Sequence, residues 1–317
     1  MSKSRFREFQ RALARIWLKF FAWVFQFLPY GFVSAMGDCI VAVALRITLR
    51  HRKVARQSLR IAFGNEKSDE EIQSIVDKCF EYVGYGLVEM AYYMSHPQDS
   101  CKNVEIEGIE KLDEALKRGK GVIAVTAHYG NFPLMMLRLA QEKNYKVSSV
   151  LRRPRDEKIG KFLYKKKRAA GVEPIYSTPK QECVTKVINA LRENHVLFLP
   201  IDQNFGSGGG IYIDFFGKEA ATSPSPAIFA QRTEAVILPV FIIHEGKKKH
   251  RIVVEDPIEL IEGSNDEQTV LNTMSKITHL IESYIRKYPY EWAWMHRRWK
   301  TQPAPKTEDT FEKQLTN

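Results

Sequence analysis

The run "VTAHYGNFPLMM", residues 125–136, passes from an apolar, β-rich stretch into an amphipathic one across a single histidine. Val122–Thr126 has the length and β-branched content of a buried strand, and beyond it Phe132, Met135, Met136 and Leu139 recur at helical spacing. Asn131 is a good N-cap, and Pro133 falls in the first helical turn, where a missing N–H costs little. His128 therefore lies in a strand-to-helix turn. Turns at the carboxyl ends of parallel strands are where α/β folds bind ligands. The positive end of the following helix suits a phosphate or a developing oxyanion, and Gly130 lets a ligand approach the backbone.

The same alternation continues outward from that turn. Further β-rich runs fall at Val147–Leu151, Val172–Tyr176, 196–201, 235–243 and 251–255, with amphipathic segments near 111–118, 132–142, 156–170, 179–194 and 223–233 and a last helix over 266–287. The pattern predicts an α/β domain with a largely parallel central sheet over 104–303. Residues 1–103 read as a helical region, and 304–317 as a polar tail. Within the helical region Ser68 and Glu71 have capping-box spacing. Pro239, inside a β-rich run, signals an edge strand or a bend.

A chain of 317 residues with 44% hydrophobic content buries a sizeable core, which excludes global disorder. Lys and Arg outnumber Asp and Glu by 48 to 37, and the resulting charge of +11 favours acidic partners: nucleic acid, anionic lipid or an acidic carrier protein. Cys39, Cys79, Cys101 and Cys183 have no metal-ligand or disulfide-framework spacing, which fits a reducing compartment. Residues 20–37 carry no charge, lie between basic clusters (Arg5, Arg7, Arg11, Arg15 and Lys19 before; Arg46, Arg50, Arg52, Lys53, Arg56 and Arg60 after) and read as part of a membrane anchor over about 16–45. With both flanks basic, a single span and an in-plane amphipathic anchor both stay open, as does a buried core helix.

Three other segments carry candidate chemistry. Arg152, Arg153, Arg155 and Asp156 follow the strand 147–151, and Asp202 and Gln203 follow the run 196–201, so all face the same sheet edge as His128. Lys161, Lys165, Lys166, Lys167 and Arg168 form a basic helix face suited to an anionic membrane or an acidic carrier. Glycines of 206–210 lack the Gly-Lys-Ser/Thr of a P-loop and read as a lid or hairpin loop. In "YEWAWMHRRWK", residues 290–300, Trp292, Trp294 and Trp299 interleave with Arg297, Arg298 and Lys300, which suits single-stranded nucleic acid or a membrane interface. The anchor favours the membrane. His296 within it reads as structural.

"TAHYGNF", "LRRPRDEKIGKFLYKKKRAAGVEPI", "LFLPIDQNFGSGGGIYIDFFGKEAATSPSPAIFAQRTEAVILPVF" and "WMHRRWKTQP" resemble, in order, the successive blocks of the bacterial lipid A biosynthesis acyltransferases, the late lauroyl/myristoyl transferase family. The resemblance implies a glycerolipid-acyltransferase-like α/β domain behind an N-terminal anchor at the cytoplasmic face of the inner membrane. It implies transfer of a fatty acyl group from acyl carrier protein to a hydroxyl of a lipid A precursor, with no metal or organic cofactor, since a thioester is already activated. The first helices and the α/β domain are expected to enclose an apolar tunnel for the chain. Another glycolipid or amino lipid acceptor, and a catalytically silent protein that binds anionic lipid or acyl carrier protein, are the alternatives. Nucleic acid is not expected as a partner.

The family's His-x4-Asp/Glu signature aligns its histidine with His128, but Pro133 stands in the acid's place. Either Asp156 or Asp202 reaches the imidazole instead, or a neutral His128 works alone, or catalysis has been lost. Arg153 is the candidate for binding a phosphate or the thioester oxyanion, with Asp156 orienting it. Asn131, Asp202 and Gln203 complete the expected substrate- or oxyanion-binding set.

Overall fold

The structure, a computed structural model, describes residues 27–303 except 144, 207, 247 and 248, together with Glu8, Ala12, Arg15, Ile16, Lys19, Phe20 and residues 23–25. The tail 304–317 and the early arginines Arg5, Arg7 and Arg11 lie outside the described residues. Helices α1 (Tyr30–Ile47), α2 (Leu49–Phe63), α3 (Asp69–Tyr93) and a short α4 (Ser100–Asn103) lead to β1 (Val104–Glu107). Then follow α5 (Ile109–Lys117), β2 (Val122–Thr126), α6 (Phe132–Ala140), β3 (Val147–Leu151), α7 (Glu157–Ala169), β4 (Val172–Tyr176), α8 (Lys180–Arg192) and β5 (Val196–Pro200). A hairpin of β6 (Ile211–Phe215) and β7 (Lys218–Thr222) precedes α9 (Ser225–Thr233), β8 (Val236–His244), β9 (His250–Val254) and α10 (Asp266–Lys287).

Seven strands form one sheet in the order β1-β9-β8-β2-β5-β3-β4. Among the described residues its only antiparallel pair is β8–β9, so the sheet is largely parallel, as the alternation of strands and helices requires. Both faces are covered. Ile123, Val125, Leu197 and Leu199 point into one core, and Val122, Ala124, Val196 and Phe198 into the other. Burial on both sides makes β2 and β5 continuous apolar runs. Helix α3 supplies both cores, Ile72, Ile75, Val76, Cys79 and Phe80 to the first and Val88, Tyr92 and Tyr93 to the second. The N-terminal helices thus share the cores of the α/β part. Ser68 caps α3 in the expected box, its Oγ accepting from Glu71 N–H at 3.2 Å while Glu71 Oε2 accepts from Ser68 N–H at 2.8 Å.

Several readings need correction. The β6–β7 hairpin and β1 are elements that helical and strand periodicity did not separate from loop. Pro239 lies on a central strand, not an edge. It falls where β8 stops pairing with β2 at Val125 and begins pairing with β9 at Val240, so its missing N–H interrupts neither ladder. The tail aromatics are core residues: Trp292 and Trp294 are fully buried and Trp299 nearly so, which removes them from any membrane interface. Among the described residues no helix is long and apolar enough to cross a membrane. Helix α1 instead packs on α3 through Val33 and Val41, helped by Gly84, where a Cβ would stand 2.6 Å from Val41. Ile16, Phe20, Trp23, Phe27 and Phe32 stay exposed.

The turn after β2 is shaped by close backbone approach. Gly130 has φ +53°, and a Cβ there would meet Ile242 O of β8 at 2.3 Å. What approaches Gly130 is the protein's own backbone, and not the ligand that the sequence suggested. A Gly130→Ala variant is expected to lose about 2 kcal/mol or more, from left-handed strain plus the clash. Denaturant unfolding with an unchanged m-value and a lower midpoint is the check, and parental stability would contradict this packing.

Candidate active site

Strands β2 and β5 pair in parallel with Thr126 opposite Pro200, and the ladder runs one step further, Ile201 N–H donating to Thr126 O at 3.1 Å. Two residues beyond the Thr126–Pro200 pair stand His128 on one strand and Asp202 on the other. They meet: His128 Nδ1 donates to Asp202 Oδ1 at 2.8 Å. The acid that Pro133 cannot supply comes from the neighbouring strand, so of the two carboxylates weighed it is Asp202, not Asp156, that reaches the imidazole. Pro133 itself sits in the first turn of α6, beside the N-cap Asn131.

Asp202 is 3% exposed, and a buried carboxylate needs partners for both oxygens. Its Oδ2 accepts from the Trp292 indole N–H at 2.7 Å. Trp292 is held there because residues 291–293 run antiparallel to the histidine turn, with Ala293 N–H donating to His128 O at 3.0 Å and Gly130 N–H to Glu291 O at 2.8 Å. Burial acts to raise the Asp202 carboxyl, but the charge and hydrogen bonds of His128 and the indole outweigh it and hold it low. For His128 burial pushes the imidazole down, and the Asp202 carboxylate outweighs it, leaving the pKa raised.

The outer edge of the imidazole faces Gln203, whose Nε2 lies 3.1 Å from His128 Nε2 and 3.2 Å from His296 Nε2. An amide nitrogen only donates, and a carboxylate only accepts. His128 therefore carries its proton on Nδ1 and presents a lone pair at Nε2. That side chain is 22% exposed, against 1% for Asp202, so the basic nitrogen is reachable and the acid is not. His296, read in the sequence as structural, belongs to this cluster. Burial, with His128 nearby, lowers its pKa and keeps it neutral beside His128. Arg298 is buried and braces the same corner, Nη1 donating to Ala221 O and Nη2 to Thr222 Oγ1, both at 2.5 Å, with Gln203 O 3.4 Å from Nη1. Neither Trp292 nor Arg298 was legible as a site residue, because their segment has the composition of a surface aromatic-basic tail.

The remaining candidates are placed elsewhere. Asn131 is a cap: its Oδ1 accepts from Leu134 N–H at 3.3 Å and its Nδ2 donates to Glu89 Oε2 at 2.8 Å. With 3% exposure it positions the turn and has no free face for substrate. Asp156 caps α7 through Ile159 N–H at 3.0 Å and pairs with Arg15 at 3.0 Å, so it does not orient Arg153. Arg153 lies over the Tyr176 ring, 4.8 Å from its centroid, in an open cleft with Arg155, Lys161 and Tyr164. Its strand stands two places from β2 on the same sheet edge, and among the described residues no hydrogen bond or ion pair joins it to His128.

A family model described as bacterial lipid A biosynthesis acyltransferase matches residues 2–301. The chain belongs to that family. It is an acyltransferase, and the family's reaction is acyl transfer to a lipid A precursor. Among its relatives, the acyltransferase is 24% identical over 299 residues to the lipid A biosynthesis palmitoleoyltransferase of Escherichia coli (strain K12), covering 92% of this chain and 93% of that one. It is 25% identical over 296 residues to the lauroyltransferase of the same organism, covering 91% and 93%. The 1-acyl-sn-glycerophosphate acyltransferase PlsC of Thermotoga maritima overlays with a TM-score of 0.35 at 14% identity, over 76% of this chain and 97% of that one.

In the acyltransferase, NMR titration of the imidazole is expected to place the His128 pKa above the ordinary value of about 6.5. In Asp202→Asn the carboxylate is gone and burial remains, so the pKa is expected to fall below that value. A pKa unmoved by the substitution would show that the two side chains do not interact in solution.

Proposed function

We propose that this acyltransferase moves a fatty acyl chain from the thioester of acyl carrier protein to a hydroxyl of a lipid A precursor, with His128 as general base. The carrying observation is the Asp202–His128 pair, which leaves a lone pair on the exposed nitrogen. Gln203 Nε2 marks where the acceptor hydroxyl docks, since that hydroxyl must take its place at His128 Nε2. As the oxygen attacks the thioester carbonyl, its proton passes to Nε2, and Asp202 stabilises the imidazolium. The dipole of α6, which begins at Phe132, adds positive potential for the oxyanion of the tetrahedral intermediate. Collapse breaks the C–S bond, the proton returns from Nε2 to the departing thiolate, and the products are the ester and the carrier thiol.

The donor reading rests on charge. Arg152, Arg153, Arg155, Lys161 and Lys165 are exposed at or beside the edge that bears His128, where an acidic carrier would dock and Arg153 would meet a phosphate on its arm. For the membrane, the exposed Ile16, Phe20, Trp23 and Phe27 offer an apolar strip among basic residues. It favours an in-plane anchor on the cytoplasmic face of the inner membrane over a span.

Detergent-purified protein supplied with labelled acyl carrier protein and lipid A precursor is expected to label the lipid. His128→Ala is expected to cut the rate by about a thousandfold or more, and Asp202→Asn by about 10²–10⁴-fold. Full transfer by His128→Ala would sink the base assignment, and label only on another glycolipid would sink the acceptor.

Replacing Phe20, Trp23 and Phe27 together by Ser is expected to weaken binding to anionic vesicles at least tenfold while the protein stays folded. Unchanged partition in a sedimentation assay would remove the in-plane anchor.

A further inference from the structure

At the far side of the histidine turn from Asp202, three side chains from three elements converge. His244 ends β8 and His250 begins β9, and the two face each other in the antiparallel register with ring centroids 4.5 Å apart. Glu89 reaches them from α3, its two oxygens each 3.1 Å from His250 Nε2. One nitrogen of each imidazole and one Glu89 oxygen lie within 4.8 Å of one another. We infer that Glu89, His244 and His250 form a binding site for a divalent transition cation of the zinc class. No part of the acyl-transfer reading depends on it.

The orientation of His244 is the observation that separates this from an ordinary buried ion pair. Its Nδ1 bonds Glu291 Oε2 at 2.7 Å, and Glu291 Oε1 accepts its backbone N–H at 3.0 Å. Nδ1–H donates to the Glu291 carboxylate, so the lone pair is on Nε2, which is buried without any hydrogen-bond partner among the described residues, on a side chain 7% exposed. A carboxylate behind one nitrogen and an open lone pair on the other is how metal-binding histidines are held. Tyr82 stacks on the ring at 4.1 Å and fixes its plane.

Glu89 is held as firmly, by Tyr30 Oη at 2.9 Å and Asn131 Nδ2 at 2.8 Å. Two imidazoles and a carboxylate are a common protein ligand set for zinc, and tetrahedral bonds of about 2.0–2.1 Å put ligand atoms about 3.3 Å apart. The His250–Glu89 edge has nearly that length, so a cation replaces the proton between them, with His244 as third ligand within 4.8 Å. A cavity of about 240 Å³ lined by Tyr30, Val33, Tyr85, Glu89 and His244 gives a way in and room for a fourth ligand, with Asp38 and Glu81 adding negative charge. The ion would tie α3 to β8 and β9 and, through Asn131, steady the turn that carries His128.

The test uses full-length protein in detergent, stripped with chelator and titrated with Co²⁺. One equivalent is expected to bind with visible d–d absorption, to be displaced by Zn²⁺, and to raise the thermal midpoint. His244→Gln and Glu89→Gln, checked for folding by circular dichroism, are expected to weaken Co²⁺ binding at least tenfold, while His51→Gln at an exposed position keeps parental affinity. Absence of d–d absorption and of any midpoint shift in the parent protein would overturn the site, as would absorption that survives in both ligand variants. The parental titration decides the matter even if a variant fails to fold.

Discussion

The parallel register between β2 and β5 is the constraint on which the site depends. Because Thr126 stands opposite Pro200, the residues two steps beyond must emerge side by side, and these are His128 and Asp202. A slip of one residue would exchange the faces of every side chain on one strand and bury what should be displayed. Both faces of both strands are apolar, so the register is held by the side chains that fill each core, Ile123 and Val125 in one and Val122 and Ala124 in the other. The packing that stabilises the sheet is therefore also what aligns the imidazole with its acid.

Much of this was legible in the sequence, and the limits are physical. A strand such as Val122–Thr126 shows as a short apolar run because both its faces are buried, and the helix Asp266–Lys287 shows in periodicity because it buries one strip. His128 was found because its turn is defined by neighbours in the chain. Asp202 was only one of two candidates, since choosing it requires the strand order, which local pattern does not contain. Trp292 and Arg298 were misread because composition alone does not distinguish an aromatic-basic segment buried against a hairpin from one lying on a membrane. His244 and His250 flank one turn, but Glu89 stands 161 residues from His250, so no spacing could have joined the three.

The buried carboxylates here have partners on both oxygens. Asp202 divides its oxygens between an imidazole and an indole, and Glu291 divides its own between the backbone and the side chain of His244. Glu291 and Trp292 are adjacent in sequence, so a single extended segment serves two buried clusters on opposite sides of the histidine turn. Such networks fix one arrangement because each partner left alone would carry the cost of an unpaired buried charge.

That arrangement bears on what Pro133 means. An acid borne on α6 would move with its helix, and its geometry toward His128 would follow the position of the helix on the sheet. An acid borne at the end of β5 is fixed by the hydrogen-bonded ladder and by an indole from residues 291–293, both rigid relative to β2. Position 133 is then released from chemistry and can hold the residue that best begins a helix, with its ring fixing φ where no N–H is needed. The cost is non-locality. His128, Asp202 and Trp292 come together only when distant parts of the chain have docked, so the pair exists only in the assembled domain.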